Sequence, residues 1–337
     1  MTLSMKNSPT RKASGILVLY NQSEDVAHGE AQDLIAVQGV IACAQAVAEA
    51  LAISHHVVQV PVTTTVEEAL VPYPPDRWVV FNLCEGVNNR LFEEARSAWA
   101  IEAMGYRYTG NNGAALALST NKGLAKQYLA AAGVPTPAWR VYRHPDEVGE
   151  EARSFPLLVK PIAEDASQGI GADAVVRDVA ALRQRVAYIA ERYRQAALAE
   201  AFVAGREFNV ALWGELPEVL PLAEIDFSSA PDPLGRIVTF AAKWEADSAE
   251  YARTPVRCPA EVEEATAKRV RDVAQQAWRA IGCRGYARVD IRLDAAGTPY
   301  VIEVNCNPDI SPDAGFSRAA RAGGYSYQEM VEKMLTI

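Results

Sequence analysis

Two short runs near the C-terminus carry the residue types most suited to chemistry. Arg288, Asp290 and Arg292 alternate along Tyr286 to Leu293, and Glu303 and Asn305 alternate along Pro299 to Asn305. In a strand, residues two apart share a face. If the runs pair through the turn-like Asp294 to Thr298, Asp290, Glu303 and Asn305 converge on one side, with Val289, Ile291, Ile302 and Val304 on the other. Three oxygen donors at one point suit Mg2+, which takes a few carboxylates and completes its shell with water and phosphate oxygens. A solvated polar face on an edge hairpin is the plain alternative, because alternating charge is common on strands with one wet face.

Other signals are weaker singly. Lys160 ends the apolar run Pro156 to Val159 and precedes Pro161, a position from which it can reach an anion bound above a sheet. The loop Glu164 to Gly171 holds Gly169 and Gly171, which allow backbone N–H groups to approach phosphate closely. Neither a P-loop ending nor a strand-linked G-x-G-x-x-G is present. Ala197 to Val203 is a strand whose main chain could read an adenine edge, and Glu207 follows across a glycine turn, where a carboxylate can accept from ribose hydroxyls. A surface acid at a hairpin end is the default for Glu207, as exposed lysines are for Lys122 and Lys243.

The elements that must position these residues can be read from periodicity. Gly15 to Tyr20, His56 to Val60 and Arg77 to Asn82 are short apolar runs of buried parallel strands, and Asp33 to Ala52 has helical spacing, so the first part of the chain reads as a small open α/β domain. After the polar junction Tyr106 to Gly113, Ser119 or Thr120 is a fair N-cap for an alanine-rich helix that stops at Gly133-Val-Pro-Thr-Pro137. A strand from Phe155 to Lys160, a helix from Ala180 to Arg194, and strands Ala197 to Phe202 and Glu207 to Trp213 lead to the final hairpin, so the second half is largely antiparallel sheet with helices.

Length and composition bound the function. The chain has 337 residues, half of them hydrophobic, which suits two or three folded domains. A net charge of −9 argues against a nucleic-acid partner, which needs clustered cations to displace counterions. The five scattered cysteines support neither a disulfide framework nor a structural zinc, and the four histidines lack ligand spacing and read as surface or loop residues. The opening stretch to Ser14 reads as a frayed terminus, and the run Ile16 to Tyr20 is too short for a signal-peptide core or membrane span, so a cytoplasmic protein is expected.

Taken in order, these segments resemble the ATP-grasp superfamily, in particular its D-alanine–D-alanine ligase-like branch. The likeness runs from about Gly105 to Asp309. It is carried by Tyr108-Thr-Gly110, Asn121-Lys122 with Lys126, Phe155 to Pro161 with the glycine loop, Glu200 to Val203 with Glu207, Lys243, Gly282 to Asp290, and Glu303-Val-Asn305. The resemblance implies three domains: an N-terminal open parallel α/β domain over 1–112, a small central lid domain over 113–203 and a C-terminal antiparallel-sheet domain over 204–337. It further implies that Lys122, Lys160 and the loop with Gly169 hold ATP phosphates, that Glu200, Ala201, Phe202 and Val203 form the adenine hinge, and that Glu207 binds ribose. By the same resemblance Lys243 approaches the γ-phosphate, Arg288 stabilises charge at the acyl centre, Ser167 faces the reaction, and Asp290, Glu303 and Asn305 hold Mg2+, or Mn2+ in its place. The reaction implied is joining of a carboxylate to an amine through an acyl phosphate, within a lid formed by the Glu164 to Gly171 loop.

Substrate-side positions depart from that family. Ala166 stands where a serine is expected, with Ser167 beside it, and Trp244 replaces a tyrosine. Asn82 to Asn89 replaces a His-Gly…Gly-Glu-Asp-Gly stretch, Asn307-Pro-Asp-Ile310 replaces Ser-Pro-Gly-Met, and Ala314-Gly315 stands where a serine would grip the acceptor carboxylate. A site that loses such donors loses affinity, so an acceptor other than D-alanine is expected. Asn82, Glu85, Trp244, Asn307, Asp309 and Arg318 are candidate contacts to the small carboxylate and amine substrates. Arg318 and Arg321 can equally be a solvated helix face. The rival readings are a D-alanine–D-alanine ligase of altered motif and a non-catalytic nucleotide-binding regulator. A homodimer is compatible with the resemblance, and neither nucleic acid nor membrane is expected as a partner.

Overall fold

The computed structural model describes residues 15–86, 91–150, 154–230 and 232–337. Its first domain runs β1 (Gly15–Asn21), α1 (Asp33–Ala52), β2 (Val57–Val62), α2 (Val66–Leu70), β3 (Trp78–Asn82), α3 (Glu93–Ala103) and β4 (Arg107–Tyr108). The strands form one parallel sheet in the order β2-β1-β3-β4. All of β1 is buried, as a central parallel strand requires, and its alternate residues feed two cores: Leu17 and Leu19 pack with Val80 and Ile101, and Ile16 and Val18 with α1. By length and composition α1 could cross a bilayer; here half of it is buried, against β1, β2 and α11 (Tyr327–Met334).

The middle segment contains α4 (Gly113–Thr120), α5 (Lys122–Ala131), β5 (Trp139–Tyr142), β6 (Leu157–Pro161), β7 (Val175–Val176), α6 (Val179–Arg192) and β8 (Ala197–Ala201). An antiparallel sheet in the order β5-β8-β6-β7 packs on α6 through Val159, Leu182, Val186 and Ile189. The expected helix start at Ser119 or Thr120 is corrected: those residues end α4, with hydroxyls donating to Leu116 O, and Asn121 caps α5 by accepting from Leu124 N–H at 3.0 Å. Asn121 has the extended backbone that a cap needs.

The third part holds β9 (Glu207–Trp213), β10 (Glu218–Val219), β11 (Ala223–Ile225), α7 (Phe240–Trp244), α8 (Ala249–Ala252), β12 (Val256–Arg257), α9 (Glu264–Ile281), β13 (Tyr286–Leu293), β14 (Pro299–Asn305), α10 (Gly315–Ala322) and α11. Its antiparallel sheet has the order β12-β11-β9-β13-β14, with β10 against β9. The strands β8 and β9, close in sequence, thus belong to different sheets. On one face this sheet shares a core with α9, α4 and α5, including Val289, Val270, Leu116 and Leu129. On the other, Ala211, Trp213 and Tyr286 meet α1 and the two last helices.

β13 and β14 pair as expected, with Asp290 opposite Glu303 and Arg288 opposite Asn305. One side of the hairpin differs from a strict alternation. A register shift at Asp290/Ile291 brings Val301 opposite Ile291, so Val301 joins the core and Ile302 turns to the cavity. A bulge inserts one extra residue into a strand and so reverses the facing of the residues beyond it.

Candidate active site

The three sheets enclose a cavity of about 900 Å3. Its floor is the β9, β13 and β14 face carrying Glu207, Asn209, Arg288, Asp290, Glu303 and Asn305. Lys160, the end of β8 and the Glu164 to Gly171 loop lie across from it, and α1 with the loop after β3 closes the remaining side.

On the floor, Arg288 forks onto Asp290, Nε to Oδ1 at 2.7 Å and Nη2 to Oδ2 at 2.9 Å, and Asn209 Nδ2 donates to the same Oδ1 at 2.8 Å. Glu303 meets Lys122 Nζ at 2.6 Å. Burial pushes Glu303 up, but Lys122 and Lys160 outweigh it and hold the carboxyl down at about 2. Asn305 Oδ1 accepts from Asn307 N–H at 2.8 Å. Among the described residues no three His, Cys, Asp or Glu side chains gather as a metal cluster. Two carboxylates and an amide oxygen are still a donor set that Mg2+ accepts when phosphate and water fill its other positions.

Lys122 and Lys243 are not the exposed lysines that their type suggests. Lys122 is 5 % exposed and bridges Glu303 to Asp165, at 3.0 Å from the latter. Glu200, at 1 % exposure, holds Lys126 through one oxygen at 2.6 Å and Lys160 through the other at 2.8 Å. Its side chain thus fixes two cations under the cavity, while Ala201, Phe202 and Val203 continue along the wall. Glu207 faces Arg292 at 3.2 Å, and that guanidinium lies over the Phe202 ring at 5.1 Å. Lys243 lines the cavity, and burial followed by the Arg288 charge lowers its pKa.

The Glu164 to Gly171 loop is pinned from several sides. Ala166 and Ser167 both have positive φ, and at Gly169, φ +70°, an added Cβ would come 2.6 Å from Pro161. Gly169 lies behind the wall, its carbonyl taken by Arg185, while Ser167 and Gln168 line the cavity. Trp244 Nε1 donates to Ala166 O at 2.9 Å, and its ring packs so closely on α1 that a Cβ at Gly39 would lie 3.3 Å from it. His28, expected to be an ordinary loop residue, meets Glu164 Oε1 at 2.6 Å with its side chain 8 % exposed. Tyr193 OH donates to Asp33 at 3.1 Å, and Gly29 N–H to Arg192 O at 2.9 Å. The segment between β1 and α1, with the start of α1, therefore holds this loop and the end of α6 directly. No spacing rule marks His28 for this, since its partner lies far along the chain.

At the remaining end Asn82 is buried, its Oδ1 accepting from Cys84 N–H at 3.1 Å, and Leu83 and Glu85 reach the cavity instead. Asn21 Oδ1 accepts from Glu85 N–H at 2.8 Å. Glu85 is exposed at the cavity mouth, yet desolvation by the surrounding protein, then Asp309 and Asp165, push it up to about 8 against the pull of Lys243. Glu94 is raised by burial and by Asp165. Asp309 accepts from Ser311 N–H at 2.8 Å and Oγ at 2.6 Å. Asn307, Asp309 and Arg318 all line the cavity. Residues 87–89 of the altered stretch lie outside the described residues. A further positioning residue is Asn111, which donates to Tyr286 O and Cys306 O, both at 2.7 Å, and accepts from Arg284 N–H at 2.7 Å, tying β13 to β14. The polar Tyr106 to Gly113 junction was its only sequence signal.

The family model described as "D-ala D-ala ligase C-terminus" matches residues 128–336. An uncharacterised protein, y4sG of Sinorhizobium fredii, is 35% identical over 277 residues, 81% of this chain and 79% of its own length. A protein of Nitrosospira multiformis named D-alanine–D-alanine ligase is 32% identical, over 74% of this chain and 76% of its own. Among solved structures, the Bacillus anthracis D-alanine–D-alanine ligase complexed with ATP superposes with a TM-score of 0.73 at 18% identity, covering 96% of both chains. The VanG D-Ala:D-Ser ligase of Enterococcus faecalis gives 0.70 at 16%, covering 96% of this chain and 99% of its own.

Proposed function

Because the chain belongs to the D-alanine–D-alanine ligase family of ATP-grasp ligases, we propose that it activates a carboxylate as an acyl phosphate with Mg2+ATP and joins it to an amine. The observation that supports this most is the gathering of Lys160, Lys243, Arg288, Asp290, Glu303 and Asn305 around one cavity, with Lys122 behind them. A regulator that only binds nucleotide has no need of the whole set.

In this reading Lys122 and Lys160 balance the phosphates, and Phe202 with Val203 borders the adenine. Glu207 accepts from the ribose. Asp290, Glu303 and Asn305 would hold Mg2+, which when bound supplies positive charge to the phosphoryl oxygens. Lys243 and Arg288 face the transferred phosphoryl group and the developing charge at the acyl carbon, so catalysis is mainly alignment and electrostatics. The pinned loop from Glu164 to Gly171 excludes water, which an acyl phosphate requires. The amine nitrogen then attacks the acyl carbon, the carbon–oxygen bond to phosphate breaks, and phosphate leaves while the amine proton passes to a base.

Ligation of D-alanine itself is the second reading, favoured by the names of the relatives and opposed by Ala314-Gly315 and Asp309 at the substrate end. Pools of amino acids and small carboxylic acids incubated with Mg2+ATP and hydroxylamine separate these readings. Hydroxamate from one donor acid is expected, and D-alanine hydroxamate alone would establish the second reading. ATP binding with no hydroxamate on any pool would contradict the first.

A further inference from the structure

Charge divides the cavity into two ends. Around the lysines the acids are matched, Glu200 by Lys126 and Lys160, Glu303 by Lys122, Asp290 by Arg288 and Glu207 by Arg292. At the substrate end, among the described residues, Glu85, Glu94, Asp309 and Asp313 line the wall against Arg318. Glu85, Glu94 and Asp309 share this end of the cavity, and the charge of Asp309 bears on Glu85. The charge of Arg318 reaches Cys258, and that of Lys243 reaches Glu85.

A second feature lies beside them. Asn21, at the end of β1, is 1 % exposed and borders the cavity. Its Oδ1 is fixed by the Glu85 N–H, and its Nδ2 is buried with no hydrogen-bond partner among the described residues. A buried donor left unpaired is costly and marks a place that a ligand acceptor can fill. An ammonium brought beside Glu85 favours its charged form, so a carboxylate on the same ligand would be repelled there, whereas a carbonyl or hydroxyl oxygen can accept from the neutral Asn21. Val37, Val40 and Leu83 add an apolar wall.

We propose that this end of the cavity selects a cationic amine whose neighbouring oxygen is uncharged, an amino-acid amide or the N-terminal residue of a peptide, and discriminates against the free amino acid. The ammonium pairs with Glu85 and Asp309, and the amide oxygen accepts from Asn21 Nδ2. The inference rests on the ligase reading and names its amine substrate class.

Calorimetric titration of the full chain with Mg2+ and a non-hydrolysable ATP analogue tests it, using alanine against alaninamide and leucine against leucinamide in both configurations. For one pair the amide is expected to bind at least about tenfold more tightly than the acid, the scale of a like-charge clash. Glu85→Gln and Asp309→Asn, each first shown to bind the analogue as the parent does, should bring the pair close to parity, and Asn21→Ala should weaken the amide alone. Equal or tighter binding of the free acids, or an unchanged preference in both charge variants, would overturn the proposal. So would binding of neither class while the analogue binds, an outcome that leaves the ligase reading standing; failure of the analogue itself to bind would remove both.

Discussion

Lys122 Nζ lies 2.6 Å from Glu303 Oε1, joining the first residue of α5 to the strand that carries two of the expected metal ligands. Lys122 also reaches Asp165 in the Glu164 to Gly171 loop, so one ammonium ties the cavity floor to that loop. Glu303→Gln keeps the shape of this contact and removes its charge. ADP release with Mg2+ATP and the donor acid is expected to fall by about 100-fold or more, the scale seen when a group stabilising charge in the transition state is removed. Retention of most of the activity would count against Glu303 as a metal ligand.

A separate stability prediction concerns Glu200. With Glu200→Gln, Lys126 and Lys160 stay buried without the carboxylate that now holds both. Removing one partner of a buried ion pair costs about 3–5 kcal/mol, so urea unfolding should show a large loss of that order. A change within the scatter of surface substitutions would mean that the lysines find other partners.

Trp244 offers a test of the proposed role of the Glu164 to Gly171 loop. Trp244→Phe retains a ring against Gly39 but loses the hydrogen bond to Ala166 O, which is worth about 0.5–1.5 kcal/mol. The expected result is a higher KM for ATP with a smaller change in kcat, because the bond holds the loop rather than the reacting atoms. Steady-state kinetics at saturating donor acid would show it, and an unchanged KM would place the loop's anchorage elsewhere.

The pH profile of stability should be set by two carboxylates of opposite behaviour. Glu303 is held at about 2, below its ordinary 4.5, so its contribution is present above pH 4.5 and is lost as pH falls toward 2. Glu85 is raised from 4.5 to about 8, so it penalises the folded state increasingly as pH rises through that window. Thermal unfolding from pH 4 to pH 9 should therefore show Glu85→Gln gaining on the parent as pH rises. Parallel curves would show that Glu85 is not desolvated.

Much of this site could be read from local pattern. Period-two alternation sets Asp290 and Glu303 on the polar faces of their strands, and the register shift between Asp290 and Ile291 brings the two opposite each other; α1 spans Asp33–Ala52 because its apolar residues repeat with helical period. Ile302 escaped, since a bulge depends on pairing with β13 and not on the residues of β14 alone. Asn121 is not marked as a cap by local pattern, because the helix preceding it, α4, lacks strong periodicity. Contacts between distant segments were invisible. The pairing of His28 with Glu164 and the pinning of Trp244 between Ala166 and Gly39 exist only once the domains have assembled. The burial of Lys122 likewise comes from tertiary neighbours, against the ordinary preference of lysine for the surface.

Transfer of oxygen from the donor acid tests the central claim most directly. With both carboxylate oxygens of the donor labelled with 18O, attack on the γ-phosphoryl group carries one labelled oxygen into phosphate when the amine displaces it. Mass analysis should find one 18O in each inorganic phosphate formed along with the amide. Unlabelled phosphate released together with ADP and amide would contradict the acyl-phosphate route.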